Sequence, residues 1–221
     1  MFTAMFCLEI LGVLSFAVSG AALGIKKNMD IFGIATLGLT TAIGGGITRD
    51  LLLGNSPPLA LKNPLYAAAA IAGSLICFVI AAKKPTLMAG LIYDRVMLLT
   101  DSLGLGLFAV IGVRMALEGQ YKSNAFMAAL IGTIAAVGGG ALRDIISGSV
   151  PVIMIKHIYA SAALGGSLAC ALLWDTFGGS ASMAVGGVII FALRILAARY
   201  RWNLPRVKTA GNPKEHIGGK V

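Results

Sequence analysis

Charge is scarce in this chain: 12% of its 221 residues are Asp, Glu, Lys or Arg, while 57% belong to the hydrophobic set. With a mean hydropathy of +0.88, this composition excludes an ordinary soluble globular domain, and disorder and collagen-like repeats with it. Cysteine is scarce too. Cys7, Cys77 and Cys170 all lie inside apolar runs with no CxxC or Cys/His spacing, which excludes a disulfide framework and a zinc site and predicts three small buried side chains. Walker A, HExxH and GxSxG patterns are missing. Gly104, Gly106 and Ala109 do spell GxGxxA, but within an apolar span and with no preceding strand, so no nucleotide site is read there. His157 and His216 are isolated, one at an interface and one in solvent. No catalytic residue, cofactor or metal site is expected, and the chain is not read as an enzyme.

What the chain has is long apolar stretches and 29 glycines, a number that suits a packed membrane bundle in which small residues let helix backbones approach. Bounded by charge, Pro or Asn, the predicted spans are 4–25, 31–53, 65–82, 96–117, 125–146, 158–174 and 181–198, seven helices in one all-α integral membrane domain of residues 1–200. A basic tail follows at 201–221. The first span is expected to remain uncleaved, because Glu9 stands where a signal peptide carries its basic region and Lys26-Lys27 come after the apolar run.

Seven spans place the termini on opposite sides, and lysine and arginine decide which side is which. Thirteen fall on one face (Lys26, Lys27, Lys83, Lys84, Arg95, Lys156 and the seven from Arg194 onward) against Lys62, Arg114 and Lys122 on the other. The N-terminus is therefore expected outside and the C-terminus in the cytoplasm, in a cell inner membrane. The bias also accounts for the net charge of +9 without nucleic acid, the tail serving topology and contact with anionic lipids.

The most informative feature is an internal repeat. Gly44-Gly45-Gly46 with Arg49-Asp50, Gly54 and Pro57 recurs as Gly138-Gly139-Gly140 with Arg143-Asp144, Gly148 and Pro151. Upstream, Glu9, Gly12 and Phe16 align with Asp101, Gly104 and Phe108; downstream, Tyr66 and Gly73-Ser74-Leu75 align with Tyr159 and Gly166-Ser167-Leu168. Each copy (about 4–82 and 96–174) holds three spans, and three is odd, so the second copy enters the membrane from the opposite side. The pattern is an inverted 3+3 repeat plus a seventh helix, typical of proteins that move solutes across a bilayer.

Three glycines in mid-span cost about 1 kcal/mol each in helix propensity. The helices are expected to bend or open there, freeing carbonyls near Thr41-Ala42 and Ala135-Ala136 for a cation, or else to pack closely. The intramembrane charges Glu9, Arg49, Asp50, Asp101, Arg143 and Asp144 must face the bundle interior or water. At about 1.5 Å rise per residue, Glu9 reaches the depth of Arg49, and Asp101 that of Arg143. Two such pairs either brace helices or line two vestibules of one path. Phe16 and Phe108, about two turns from each carboxylate, are candidate constrictions. Gly20-xxx-Gly24 and Gly178-xxx-Ser182-xxx-Gly186 are candidate packing faces, within the chain or between subunits.

Duplicated GGGxxRD segments in a chain of this size resemble the trimeric intracellular cation channel family, in particular its bacterial branch, which is catalogued under a glycine-transporter-type domain. The likeness covers roughly residues 5–200. It implies a homotrimer with one hourglass pore per subunit, helices bent at Gly44–Gly46 and Gly138–Gly140, and K+ and Na+ as permeant ions. The KEVxRxxK motif with which animal members bind phosphoinositides does not occur here. The alternative reading is a carrier of a small amino acid such as glycine, working by alternating access.

Overall fold

A computed structural model of the chain describes residues 2–88, 90–122, 124–155 and 158–202. Lys156, His157, His216 and the tail beyond residue 202 lie outside the described residues. The elements in chain order are α1 (Phe2–Lys26), α2 (Ile31–Leu52), α3 (Leu59–Lys62), α4 (Pro64–Lys83), a 3-10 turn (Pro85–Met88), α5 (Gly90–Glu118), α6 (Ala125–Ile146), α7 (Val152–Ile155), α8 (Ala160–Phe177) and α9 (Gly179–Arg199). Among the described residues, seven of these are long and apolar enough to cross a membrane. Below, the side on which α1 begins is the N face and the opposite side the C face.

The repeat is visible element by element, α1–α4 against α5–α8, with α9 left over. Its local causes are also duplicated. Asp30 caps α2 through the Gly33 amide at 2.7 Å, and Asn124 caps α6 through the Met127 amide at 2.9 Å. At the other ends, Gly54 (φ 71°) and Gly148 (φ 65°) take the left-handed conformation that glycine accepts without steric cost. The amides of Asn55 and Ser149 then close back onto the carbonyls of Asp50 and Asp144, both at 2.8 Å, as in a Schellman ending. Pro57 and Pro151 follow, where a helix cannot continue.

Four helices form the centre: α1 against α2, α5 against α6, and across the repeats α1 against α5 and α2 against α6. α4 packs on α1 and α2, α8 packs on α5 and α6, and α9 covers α5 and α8. Large apolar side chains point outward, among them Phe32 (78% exposed) and Val188 (67%). Such faces suit hydrocarbon rather than water.

Three expectations need correction. α5 starts at Gly90 rather than 96, because Asp94 and Arg95 end the apolar window without ending the helix. Cys77 and Cys170 are buried but Cys7 is exposed, since an apolar run in a membrane protein marks lipid contact as readily as a core. Finally, α2 and α6 remain α-helical across Gly44–Gly46 and Gly138–Gly140 and do not open, which leaves the close-packing alternative. The glycines instead permit a close crossing of α2 and α6. A Cβ on Gly45 would strike the Ala135 carbonyl oxygen, and one on Gly139 would strike the Thr41 carbonyl oxygen, its repeat equivalent. Propensity loses here to backbone approach, which glycine alone allows.

The two small-residue motifs also work inside the chain. Gly20 and Gly24 pack against Gly38 and Ile34 of α2, and Gly186 sits against Gly166 and Cys170 of α8.

Candidate functional site

The repeat brings two buried polar clusters to equivalent places, one toward each face. At the N face, Arg49 near the end of α2 is 2% exposed and extends Nη1 to Glu9 Oε1 of α1 at 3.4 Å. Its Nε donates to Asp50 Oδ1 at 2.8 Å, and Asp50 Oδ2 accepts the Leu59 amide at 2.7 Å, fixing the start of α3. Tyr66 of α4 donates its hydroxyl to Glu9 Oε2. At the C face, Arg143 Nη1 meets Asp101 Oδ1 at 2.9 Å, its Nε meets Asp144 Oδ1 at 2.8 Å, and Asp144 Oδ2 accepts the Val152 amide at 2.8 Å. The sequence-based pairings Glu9–Arg49 and Asp101–Arg143 are thus both made. Asp50 and Asp144 do something else: they bridge each arginine to the backbone of the next short helix.

Between the clusters lie Phe16 and Phe108, stacked on each other with ring centres 5.2 Å apart and planes at 24°. Each ring fills the place of a missing side chain in the other repeat. A Cβ on Gly104 would overlap Phe16, and one on Gly12 would press on Phe108. Both rings are buried, and Gly46 lies under the edge of Phe108.

The cavities at the two clusters are unequal. Toward the N face a space of about 20 Å³ touches Glu9, Arg49, Tyr66, Gly46 and Phe108, room for about one water molecule. Toward the C face an open cavity of about 790 Å³ reaches Asp101 and Arg143.

Two features were not singled out from the sequence. Tyr66 and Tyr159 appeared only as matching letters of the repeat, yet both hydroxyls face the cluster carboxylates, Tyr159 at 3.4 Å from Asp101 Oδ1. Arg194 of α9, grouped in the sequence with the basic C-terminal side, turns inward at 6% exposure. Its Nη2 lies 3.5 Å from Asp101 Oδ2, and its guanidinium carbon lies 4.6 Å above the Tyr159 ring. Its place within the last apolar span was the available signal, since a charge there must find a partner.

Comparison with known proteins agrees with this architecture. The family model described as "Glycine transporter" matches residues 6–82 and 98–175, the two repeats. A UPF0126 membrane protein of Deinococcus radiodurans is 36% identical over 90% of this chain and 89% of its own length. The UPF0126 inner membrane protein YadS of Escherichia coli K12 is 33% identical over 90% of this chain and 93% of its own. Among solved structures, a prokaryotic TRIC channel crystallised in 0.5 M KCl superposes with a TM-score of 0.83 at 32% identity, covering 92% of this chain and 100% of that one. The TRIC trimeric intracellular cation channel orthologue from Rhodobacter sphaeroides gives 0.81 at 33% identity, covering 90% and 100%. An inverted repeat, one family model matched at both of its copies and superposition over nine-tenths of the chain leave one conclusion: the protein belongs to the TRIC family of membrane cation channels, the UPF0126 group of the curated relatives.

Proposed function

We propose that each subunit carries its own path for monovalent cations, K+ and Na+, running between the two polar clusters. The observation that supports this reading best is the stacking of Phe16 on Phe108 midway between two buried carboxylate–arginine clusters. Glu9 and Asp101 favour cations at either end. Arg49 and Arg143 hold those carboxylates in place and are themselves anchored by Asp50 and Asp144. Gly44, Gly45, Gly138 and Gly139 form the seam along which α2 and α6 meet, Gly140 lies against the Tyr159 hydroxyl, and Gly46 with the two phenylalanines closes the path in the arrangement described. Conduction requires the rings to part.

The assembly proposed is a homotrimer in the cell inner membrane, surrounded by lipid, with the N face outside and the C face cytoplasmic. The lysine and arginine bias supports that orientation, and the solved relative named as trimeric supports the assembly. Cysteines placed at Ser56 and Thr209 test the orientation in intact cells: an impermeant thiol reagent should label the first and spare the second.

Single-channel recording of purified protein in planar bilayers tests the function. In a KCl gradient, unitary currents should reverse near the potassium equilibrium potential, and Phe16→Ala or Phe108→Ala should raise open probability. The second reading, a glycine carrier, draws on the description of the matching family model. It predicts saturable glycine uptake and no unitary events. The N-face cavity, at about 20 Å³, is too small for that substrate as it stands.

A further inference from the structure

Arg194 is the charge in the two clusters with no counterpart under the repeat. α9 stands outside the repeated unit, so among the described residues nothing equivalent reaches Glu9. The N-face cluster therefore sets two carboxylates, Glu9 and Asp50, against the single guanidinium of Arg49. The C-face cluster sets Asp101 and Asp144 against Arg143 and Arg194. One end keeps an excess negative charge and the other is neutral.

The way Arg194 is held matters as much as its charge. Arg143 approaches Asp101 at 2.9 Å, whereas Arg194 stands 3.5 Å from the other oxygen of the same carboxylate and 3.5 Å from the Ile158 carbonyl. Its Nε finds no hydrogen-bond partner among the described residues. It rests on the face of Tyr159 beside the C-face cavity rather than in a bidentate fork. That cavity is lined by further cations, Lys26, Arg95 and Arg199, with Asp94 the one added carboxylate.

Resting on the channel reading, we infer that Arg194 makes conduction direction-dependent. Its guanidinium occupies the Asp101 oxygen that a permeant cation would otherwise meet, a tethered competitor present at one end of the path only. A vestibule with excess negative charge concentrates cations, a neutral one leaves them near their bulk concentration, and a positive one depletes them. Cations therefore enter more readily from the N face. The asymmetry fades with salt, because the screening length falls from about 10 Å at 0.1 M to about 3 Å at 1 M.

The test is single-channel recording of the full chain, inserted in known orientation, in symmetrical KCl, reading the ratio of the current carried by cations entering from the N face to that carried from the C face at equal and opposite voltages. In the unsubstituted protein the ratio should be about two or more at low salt and closer to one at high salt. Arg194→Gln should lower the low-salt ratio toward one, with Lys26, Arg95 and Arg199 keeping a remainder, and Arg194→Lys, which keeps the charge, should retain most of it. Equal currents in the unsubstituted protein at low salt, or rectification unchanged in Arg194→Gln, overturns the inference while leaving the channel intact. Should Arg194→Gln not fold, the salt dependence of the unsubstituted protein decides: a ratio that does not fall with salt overturns the inference. No unitary current at all overturns the channel reading and this inference with it.

Discussion

At the N face, Glu9 meets one arginine and a tyrosine hydroxyl; at the C face, Asp101 meets two arginines, and its tyrosine stands off at 3.4 Å. The parts beneath are the same in both halves. In each, an arginine is clamped by the aspartate after it, and that aspartate holds the first amide of a short helix. Repetition has thus kept the scaffold that positions the guanidinium and varied what the guanidinium faces. The longer Glu9 side chain spans the distance to Tyr66; the shorter Asp101 leaves Tyr159 free to lie under Arg194. Ser19 adds to the difference, accepting from Arg143 Nη1 at 2.6 Å, while its aligned position in the second repeat is Ile111.

The sharpest way to break the comparison is to remove each arginine. Arg49→Ala strands Glu9 and Asp50 without any cation and should cost about 3–5 kcal/mol, the usual cost of an uncompensated buried charge. Arg143→Ala leaves Arg194 beside Asp101 and should cost less. Chemical or thermal unfolding in detergent measures both, and equal losses would mean that Arg194 does not compensate.

The tyrosines should differ in the same sense by a smaller amount. Tyr66→Phe removes a hydrogen bond to a charged group and should cost about 1.5–3 kcal/mol, whereas Tyr159→Phe, at the longer distance, should cost about 1 kcal/mol or less. A larger effect at Tyr159 would reverse the assignment of which carboxylate relies on its phenol.

Where the halves are equivalent, substitutions should be equivalent. Gly45→Ala and Gly139→Ala each push a methyl group onto a carbonyl of the facing helix and should each cost about 1–3 kcal/mol. Unequal losses would show that the seam is not symmetric in energy as it is in geometry. The smallest effect has the opposite sign. Gly165, in α8, has open space where its Cβ would lie, so Gly165→Ala should gain about 0.5–1 kcal/mol in the same unfolding measurement.

The sequence made the architecture legible because membrane spans and the repeat are written in long, redundant signals. Even the charge pairs followed, since depth along a helix is simple arithmetic and a buried charge needs a partner. Other features depended on neighbours that sequence does not display. The helical continuity of α2 and α6 reflects what packs against Gly45 and Gly139, and propensity alone could not choose between an opened helix and a close crossing. The inward turn of Arg194 depends on which helix α9 faces. Lying at the end of an apolar span, it was grouped with the exposed basic residues that follow. Tyr66 and Tyr159 were legible as a match but not as a role, because an aligned aromatic reports similarity and says nothing about where its hydroxyl goes.

The crossed placement of Phe16 on Gly104 and Phe108 on Gly12 has a consequence for biogenesis. Each half supplies the socket for the other half's ring, and the glycine seams are shared in the same crossed way, so neither half is finished alone. Synthesis proceeds at about 5–20 residues per second, so α1 and α2 wait in the membrane for several seconds before their partners arrive. During that interval Glu9 and Arg49 already have each other, while Phe16 has no ring to stack on. Phe16 and Phe108 are made almost a hundred residues apart, so the stack at the centre of the molecule can form only once α5 has entered the membrane.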